Sequence, residues 1–338
     1  MIFRSKAPLR IGLAGGGTDV SPYCDLYGGA ILNTTISHAA YASIETLDAN
    51  KIIVETLDRK EKQEFSWDTI LPIDGELNLL KGVYNRIQKD YGIKKCGIRL
   101  STFVDAPAGS GLGTSSTLVV AILGAFIEML RLPFSQYDAA HYAYDIERNN
   151  LQLAGGRQDQ YAATFGGVNF MEFYKEDKVI VNPLRIRDEY MNELENNLVL
   201  YFTSTSRESA EIIKEQVSNV NKKNEKSIEA MHQLKEQAKM MKEALLKGKL
   251  NDIGEILDYG FQQKRLMAHN ISIEEVYDAA KKAGATGGKI SGAGGGGFMI
   301  FYCPGNTKYA VIKTLHSFGG EVKKYAFTNQ GLATWTVK

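Results

Sequence analysis

The chain has 338 residues, of which 44% are apolar and 23% charged, a composition typical of a soluble globular protein with room for two domains. Forty Lys and Arg residues against 39 Asp and Glu residues give a formal net charge of +1, which excludes a strongly basic protein that binds nucleic acid or anionic membranes. No apolar run reaches the roughly 20 residues that span a bilayer. Because the three cysteines are far apart and no signal peptide is visible, we expect a cytoplasmic protein.

The first half of the chain predicts a sheet with a few helices. Runs rich in β-branched and aromatic residues between turn residues indicate strands, and apolar residues spaced by three and four indicate helices. Strands are expected at 7–13, 30–46, 52–57, 97–104 and 168–173, and helices at 77–91, 118–130 and 136–149. This mixture favours an α+β fold over a doubly wound parallel sheet.

A domain boundary is expected between residues 183 and 197, where charged residues and a proline precede a new strand at 198–203. We therefore divide the chain into an N-terminal mixed α/β domain, 1–190, and a C-terminal domain, 191–338. Residues 208–247 predict a packed helical hairpin, because about two and a half heptads are too few for a coiled coil. A ferredoxin-like unit with extra helices is completed by a helix at 273–283, a strand at 298–303, a helix at 308–318 and a strand at 321–327.

A loop interrupted by glycines runs from residue 107 directly into the apolar helical segment. Such a loop can turn its backbone N–H groups inward, and the helix that follows adds its positive dipole end, so the pattern predicts a phosphate site. Its members are Pro107, Gly109, Ser110, Gly111, Leu112, Gly113, Thr114, Ser115 and Ser116. A tight turn is the simpler alternative. No lysine precedes the hydroxyl residues, so this is not a Walker A loop.

A second glycine cluster occupies residues 287–297, where Gly292, Gly294 and Gly297 satisfy G-x-G-x-x-G. That pattern binds dinucleotides between a strand and a helix. Here we expect the glycines to follow a helix and precede a strand, so we do not predict a dinucleotide fold. We interpret them as places where another backbone or a ligand approaches without a Cβ in the way, with a flexible loop as the alternative.

A third glycine cluster opens the chain and separates Arg10 from Asp19. The predicted strand carries Arg10 to a tight turn, and the carboxylate of Asp19 after that turn is suited to holding sugar hydroxyls. An ordinary surface cation is the alternative for Arg10.

Two more carboxylates belong to this set of candidates. Glu147 is expected near the end of a helix, and the double glycine at 155–156 would direct Asp159 toward the same pocket. An Asp beside glycine is more often a turn or cap residue, which stays an alternative for Asp159.

The three glycine clusters, in this order, resemble the GHMP small-molecule kinases over nearly the whole chain. Residues 107–115 match P-x-G-x-G-L-G-[ST]-S, and residues 289–296 read K-I-S-G-A-G-G-G. The opening A-P-L-R has Leu9 where the family usually has glycine, and G-G-G-T-D replaces G-E-H-x-D, which argues against a galactokinase. The G-G-G-T-D form, together with A-G-G-R-Q-D-Q-Y at 154–161, resembles the subgroup of heptose 7-phosphate kinases and L-fucokinases. The short chain favours the heptose 7-phosphate kinases.

The resemblance implies an ATP-dependent sugar kinase of two domains. ATP phosphates would lie on the glycine loop, with Mg²⁺ held by Ser115 and Glu147. Asp159 would accept the proton of the sugar hydroxyl, expected at C-1, and Arg10 would stabilise the charge on the transferred phosphoryl group. Trp67 is a candidate wall of the adenine site, although a lone aromatic is more often a core residue.

The acceptor would be a sugar phosphate. Its expected contacts are Gly17, Thr18, Asp19, Gly292, Ala293 and Gly294, and its own phosphate would be bound by Arg157 or Arg207, each of which could equally be a surface arginine. The alternatives are an L-fucokinase-like or galactokinase-like enzyme for unphosphorylated sugars, a non-catalytic sugar sensor, or an ATP-dependent decarboxylase of the same fold. We expect no nucleic acid or membrane partner, and a monomer or a homodimer.

Overall fold

The computed structural model describes residues 1–67, 70–93, 97–107, 109–203, 209–265, 271–292 and 297–338, with only the backbone described at 209, 271 and 272. The strands are β1 Ile2–Ala14, β2 Gly29–Leu47, β3 Lys51–Thr56, β4 Glu61–Ser66, β5 Gly97–Val104, β6 Val168–Phe173, β7 Val179–Pro183, β8 Leu198–Phe202, β9 Gly287–Ile290, β10 Phe298–Tyr302, β11 Glu321–Lys323 and β12 Ala333–Val337. The helices are α1 Tyr23–Tyr27, α2 Asn78–Tyr91, α3 Thr114–Leu130, α4 Gln136–Asp145, α5 Gln158–Phe165, α6 Asp188–Asn197, α7 Ser209–Asn221, α8 Glu225–Lys247, α9 Asp252–Arg265, α10 Ile271–Lys282 and α11 Lys308–His316, with a π-helical turn Ile146–Asn150 after α4.

The first sheet has eight strands, and the long strand β2 joins its parts. The order is β12-β1-β2-β5-β3-β4, while β6 pairs with the first part of β2 and β7 pairs with β6. The β3–β5 pair is parallel and the other pairs are antiparallel. Consecutive residues of β1 from Ala7 onward are buried, because helices cover one face and neighbouring structure the other.

The second sheet has four antiparallel strands in the order β11-β8-β10-β9. In chain order this is the 4-1-3-2 arrangement of a ferredoxin-like unit, with α7 to α10 inserted between its first and second strands. The expected helical hairpin is present as α7 and α8. The predicted α+β class and the ferredoxin-like second half are therefore confirmed.

Helix α3 is the buried centre of the first half. Its residues from Ser116 to Phe126 are all buried, and it packs against β1 and β2. An apolar surface on every side keeps such a helix in the interior. Because the helix begins at Thr114, directly after the glycine loop, packing of α3 fixes where its N-terminus points.

Several elements differ from the sequence expectations. Strand β9 occupies 287–290, so the G-x-G-x-x-G glycines follow a strand, and the prediction that they follow a helix was wrong. A strand on each side is still not the strand-to-helix setting of a dinucleotide site. The expected boundary region holds helix α6, and β12 returns to pair with β1 in the first sheet. The division at residue 190 stays a prediction.

Two further features concern the cysteines and the apolar character of the helices. Cys24 and Cys303 are buried free thiols, and Cys96 lies outside the described residues. Among the helices of the described ranges, none combines the length and apolar character that crossing a bilayer requires.

Candidate active site

A cavity of about 350 Å³ lies between the glycine loop and the helices of the second half. One wall carries Arg10, Asp19, Glu147 and Asp159 together with the loop, and the opposite wall is formed by residues of α7, α8, α9 and α10. Four of the charged residues singled out from the sequence therefore face one space.

The glycine loop reaches this cavity in a tightly wound form. Gly109, Gly111 and Gly113 all have positive φ, which a glycine adopts without steric cost. The hydroxyls of Ser110 and Thr114 lie 2.9 Å apart and hydrogen-bond across the loop. The first N–H groups of α3 have no partner within the helix and point toward its N-terminal end, the geometry that favours a phosphate.

The C-terminal glycines lie directly on this loop. A Cβ on Gly111 would stand 2.2 Å from the carbonyl oxygen of Ser291, and one on Gly292 would stand 2.8 Å from the Cα of Gly111. Phe298 donates its N–H to the Ser110 carbonyl at 2.8 Å. Close approach of another backbone, as expected from these glycines, is confirmed at Gly292. Ala293 and Gly294 lie outside the described residues.

Arg10 and Asp159, which both line the cavity, form a partly buried ion pair. Both Nε and Nη2 of Arg10 lie 2.7 Å from Oδ1 of Asp159, and Nη1 donates to the Gly111 carbonyl at 2.5 Å. Arg10 is 3% exposed, so it is not the surface cation considered as an alternative. Asp159 lies in the first turn of α5, beside Gly113. The pair therefore connects a potential proton acceptor to the phosphate loop.

Asp19 offers a carboxylate oxygen to the same cavity. Its Oδ2 accepts hydrogen bonds from the N–H groups of Arg157 at 2.8 Å and Gln158 at 3.0 Å, while its buried Oδ1 has no partner among the described residues. Burial raises the pKa of Asp19, and the two backbone donors oppose that rise. An unpaired buried acceptor is costly unless a ligand supplies a donor. A sugar hydroxyl is such a donor.

The residues beside Asp19 differ in what they can contact. Gly17 lines the cavity. Thr18 is fully buried, and its hydroxyl donates to the backbone carbonyls of Gly15 and Ala30. These bonds hold the turn in shape, and the contact of Thr18 with a substrate stays a prediction.

Glu147 is buried among polar partners at the start of the π-helical turn. It accepts a hydrogen bond from Ser116 at 3.1 Å and another from the Gln160 amide, and Arg148 lies 3.7 Å away. Burial raises the pKa of Glu147, and these neighbours partly offset the rise. Ser115, which was predicted to hold Mg²⁺ together with Glu147, is exposed and lines the cavity. The serine that hydrogen-bonds Glu147 directly is Ser116.

The Glu147 region fits a hard cation. Mg²⁺ is commonly held by one or two carboxylates together with waters and substrate phosphates, so it does not need a cage of acidic residues. Within the described ranges, no group of three or more His, Cys, Asp or Glu side chains could hold a metal ion. A buried carboxylate that is hydrogen-bonded by Ser116 and lines the same cavity as Ser115 and the phosphate loop meets the lesser requirement.

Comparison with known proteins decides the family. Residues 78–167 match the N-terminal domain of the GHMP kinases and residues 241–320 match the C-terminal domain. The chain is 44% identical over 337 residues to the D-glycero-alpha-D-manno-heptose 7-phosphate kinase of Campylobacter jejuni, covering 99% of each chain. The chain belongs to the GHMP kinases. As expected from the three glycine clusters, it is an enzyme, a sugar kinase of the phosphotransferase class.

Solved structures agree with this assignment. A D-glycero-D-manno-heptose 1-phosphate kinase from Bacteroides thetaiotaomicron has a TM-score of 0.86 and 44% identity, with 99% of each chain covered. The galactokinase of Lactococcus lactis in complex with galactose has a TM-score of 0.79 at 19% identity, covering 98% of this chain and 95% of that one. The second likeness shows the fold alone.

In this GHMP kinase, Arg157 does not have the position predicted for it. Its side chain forms ion pairs with Asp25 at 3.1 Å and Asp177 at 2.8 Å and donates to the Tyr174 carbonyl at 2.8 Å. The guanidinium is thus engaged outside the cavity. Arg157 contributes to the site through its backbone N–H, which donates to Asp19. Arg207 lies outside the described residues. Trp67 packs against the main hydrophobic core, which was the alternative interpretation to a wall of the adenine site.

Sequence reasoning missed three polar side chains of the site. Gln160 donates to both Glu147 and Ser116, and Lys264 of α9 reaches the Gly292 carbonyl at 2.9 Å. Lys289 of β9 is 4% exposed beside the opening glycine turn. Gln160 and Lys289 lie inside the quoted motifs and could have been considered, whereas no local pattern marks Lys264.

Proposed function

We propose that this kinase transfers the γ-phosphate of ATP to the C-1 hydroxyl of D-glycero-D-manno-heptose 7-phosphate and forms the 1,7-bisphosphate. The observation that carries the proposal is the Arg10–Asp159 ion pair, which lies between the phosphate loop and the unpaired oxygen of Asp19. Phosphoryl transfer needs an anchored donor, an oriented hydroxyl and charge stabilisation, and this arrangement supplies each.

The nucleotide would lie on the glycine loop. The backbone N–H groups of residues 110–114 and the N-terminus of α3 are suited to holding the ATP phosphates. Contacts of Ser291, Gly292 and Gly297 with Ser110 and Gly111 keep this backbone in place. A rigid donor site of this kind stabilises developing charge without reorganising during the reaction.

The acceptor would approach from the side of Asp19. Its hydroxyls can donate to Oδ1 of Asp19, which orients the sugar with C-1 toward Asp159. In the transfer, a bond forms between the C-1 oxygen and the γ-phosphorus, the bond from that phosphorus to ADP breaks, and the hydroxyl proton goes to the Asp159 carboxylate. Arg10 holds that carboxylate in position and offsets negative charge on the phosphoryl oxygens.

Ser115 and Glu147 would hold Mg²⁺. The ion supplies positive charge to the ATP phosphates. Ser116 and Gln160 hydrogen-bond Glu147 and so orient its carboxylate.

Two relatives of equal identity differ in the position of the phosphate on their heptose. The C. jejuni relative is a 7-phosphate kinase and the B. thetaiotaomicron one a 1-phosphate kinase. The decisive experiment incubates purified protein with Mg·ATP and single acceptors, measures ADP release, and locates the new phosphate by ³¹P NMR. The acceptors are heptose 7-phosphate, heptose 1-phosphate, L-fucose, galactose, mannose, mevalonate and homoserine.

The outcomes of this panel are distinct. Turnover of heptose 7-phosphate with a new anomeric phosphate supports the proposal. Preference for heptose 1-phosphate reverses the order of the two phosphorylations, and preference for fucose or galactose favours an anomeric kinase for unphosphorylated sugars. Binding of sugar without ADP release indicates a sensor, and ADP release with loss of CO₂ from a diphosphorylated acid indicates a decarboxylase.

A further inference from the structure

The turn that precedes Asp19 contains an open position. Among the described atoms, a Cβ on Gly16 would meet only the two ammonium nitrogens of Lys264 and Lys289, each at 3.9 Å. The φ of Gly16 is outside the left-handed region, so the backbone does not require glycine there. Gly16 and Lys264 both line the cavity. The missing side chain therefore leaves space between the turn and two cations.

The charges around these two cations are unbalanced. Among the residues that the structure describes, neither Lys264 nor Lys289 has a carboxylate within ion-pair distance. Lys264 donates to the neutral Gly292 carbonyl, and Asp19 acts on it from farther away. Arg10 adds a third positive charge nearby, and its own partner is Asp159.

Burial and mutual repulsion act against this arrangement in the free protein. Burial and the charge of Arg10 lower the pKa of Lys264 to about 8, and burial with the charges of Lys264 and Arg10 lowers the pKa of Lys289 well below its ordinary value. Burying a charge without a partner is costly, and an anion bound between the two amines would offset that cost. The sequence pattern G-E-H-x-D would place a glutamate at residue 16, whereas this chain leaves the position open to a ligand.

We propose that Lys264, Lys289 and the open face of Gly16 bind the phosphate group that the acceptor already carries. This inference rests on the proposed function, because it requires a phosphorylated acceptor. It assigns to two lysines the contact that was expected from Arg157, whose guanidinium is occupied elsewhere. Lysines act as point charges toward phosphate, so this site recognises charge and leaves the sugar orientation to Asp19.

The test compares Michaelis constants for the two substrates. In Lys264→Gln and Lys289→Gln, the loss of one charge-assisted contact should raise KM for the phosphosugar about 10- to 150-fold, while KM for ATP changes by no more than a few-fold. Gly16→Ala keeps both charges and fills the open position, so it should also raise KM for the phosphosugar selectively. Lys239→Gln is the matched control, because this lysine is exposed on α8 and pairs with Glu236. It should leave both constants unchanged.

Other results would overturn the inference in recognisable ways. An equal rise of both constants, or a rise for ATP alone, would place the lysines at the nucleotide. If KM for the phosphosugar is unchanged in all three variants, the two lysines have a structural role only. Calorimetric titration without ATP, using the phosphosugar and its unphosphorylated form, separates the two proposals. If the wild-type protein does not distinguish these ligands, the proposed function itself fails. If the wild-type protein prefers the phosphosugar and the variants keep the same preference, the lysine site alone fails.

Discussion

The nucleotide side and the acceptor side of the cavity are built in different ways. The nucleotide side consists mainly of backbone from one continuous loop, braced by a second glycine loop. The acceptor side consists of side chains that come from β1, the turn after it, α5, α9 and β9. Backbone recognition leaves a sequence pattern because it needs glycines at fixed spacing, whereas convergence of side chains leaves little local trace.

The two sides also differ in their electrostatics. The described part of the phosphate loop carries no charged side chain and would bind the nucleotide through N–H dipoles. The proposed acceptor side brings Arg10 into an ion pair with Asp159 and places Lys264 and Lys289 beside Gly16. Substitutions on the first side should therefore act through backbone geometry, and those on the second side through charge.

The largest effect is expected from Asp159→Asn. This change keeps the shape and removes the negative charge, so kcat should fall by at least about 10²-fold while nucleotide affinity stays nearly constant. Steady-state kinetics together with ATP binding measure both quantities. Asp278→Asn, an exposed residue of α10, serves as control. Turnover within a few-fold of wild type would make Asp159 a structural residue.

Gly111→Ala tests the geometry of the nucleotide side. The residue has φ +83°, and its Cβ would stand 2.2 Å from the Ser291 carbonyl oxygen, so the loops must separate. We expect a loss of about 1–3 kcal/mol in stability and a higher KM for ATP. Thermal denaturation should show a lower Tm for Gly111→Ala than for Gly16→Ala, where a methyl group fits. Equal Tm values would contradict the difference between the two sides.

Metal dependence distinguishes the two serines. Glu147→Gln should raise the Mg²⁺ concentration for half-maximal activity about 10- to 100-fold. Ser115→Ala should raise it less, and Ser116→Ala least, because the Ser116 hydroxyl is already bonded to Glu147 and Gln160. Mg²⁺ titrations at saturating ATP measure this order. If Ser116→Ala raises the Mg²⁺ concentration for half-maximal activity more than Ser115→Ala does, the hydroxyl ligand is Ser116.

The smallest effect concerns pH. The pKa of Lys264 is lowered from its ordinary 10.5 to about 8, so this lysine loses its positive charge as the pH rises through 8. Burial and then the charge of Arg10 favour that loss, and Asp19 opposes it. Because kcat/KM reports groups of the free enzyme, its value for the phosphosugar should decline above pH 8, by up to about tenfold per pH unit. The same decline in Lys264→Gln would show that another group causes it.

Much of the first half could be predicted because its elements have strong local patterns. The strands β1, β2 and β5 and the helices α2 and α3 were expected close to their observed positions. Strand β4 was missed, since half of the residues of E-K-Q-E-F-S are charged and the segment is held at a sheet edge by pairing with β3. Strand β9 was missed because a four-residue segment with two glycines becomes a strand only through its pairing with β10.

The site shows the same division. Glycine spacing located the phosphate loop, and the quoted motifs supplied Arg10, Asp19, Glu147 and Asp159, all of which line the cavity. Arg157 was placed wrongly, because proximity in sequence to Asp159 says nothing about which direction its guanidinium takes from the start of α5.

The sequence by itself determined the two-part α+β fold, the family and the glycine segments that meet at the cavity, since these depend on local backbone conformation and on apolar periodicity. Only the tertiary structure decided which cations lie beside the opening turn. Lys264 and Lys289 belong to different elements of the second half, and both reach Gly16 in the first. The packing of α9 and β9 against the opening turn creates that arrangement. Electrostatic sites built from distant elements depend on distances in space, which the order of residues along the chain does not specify.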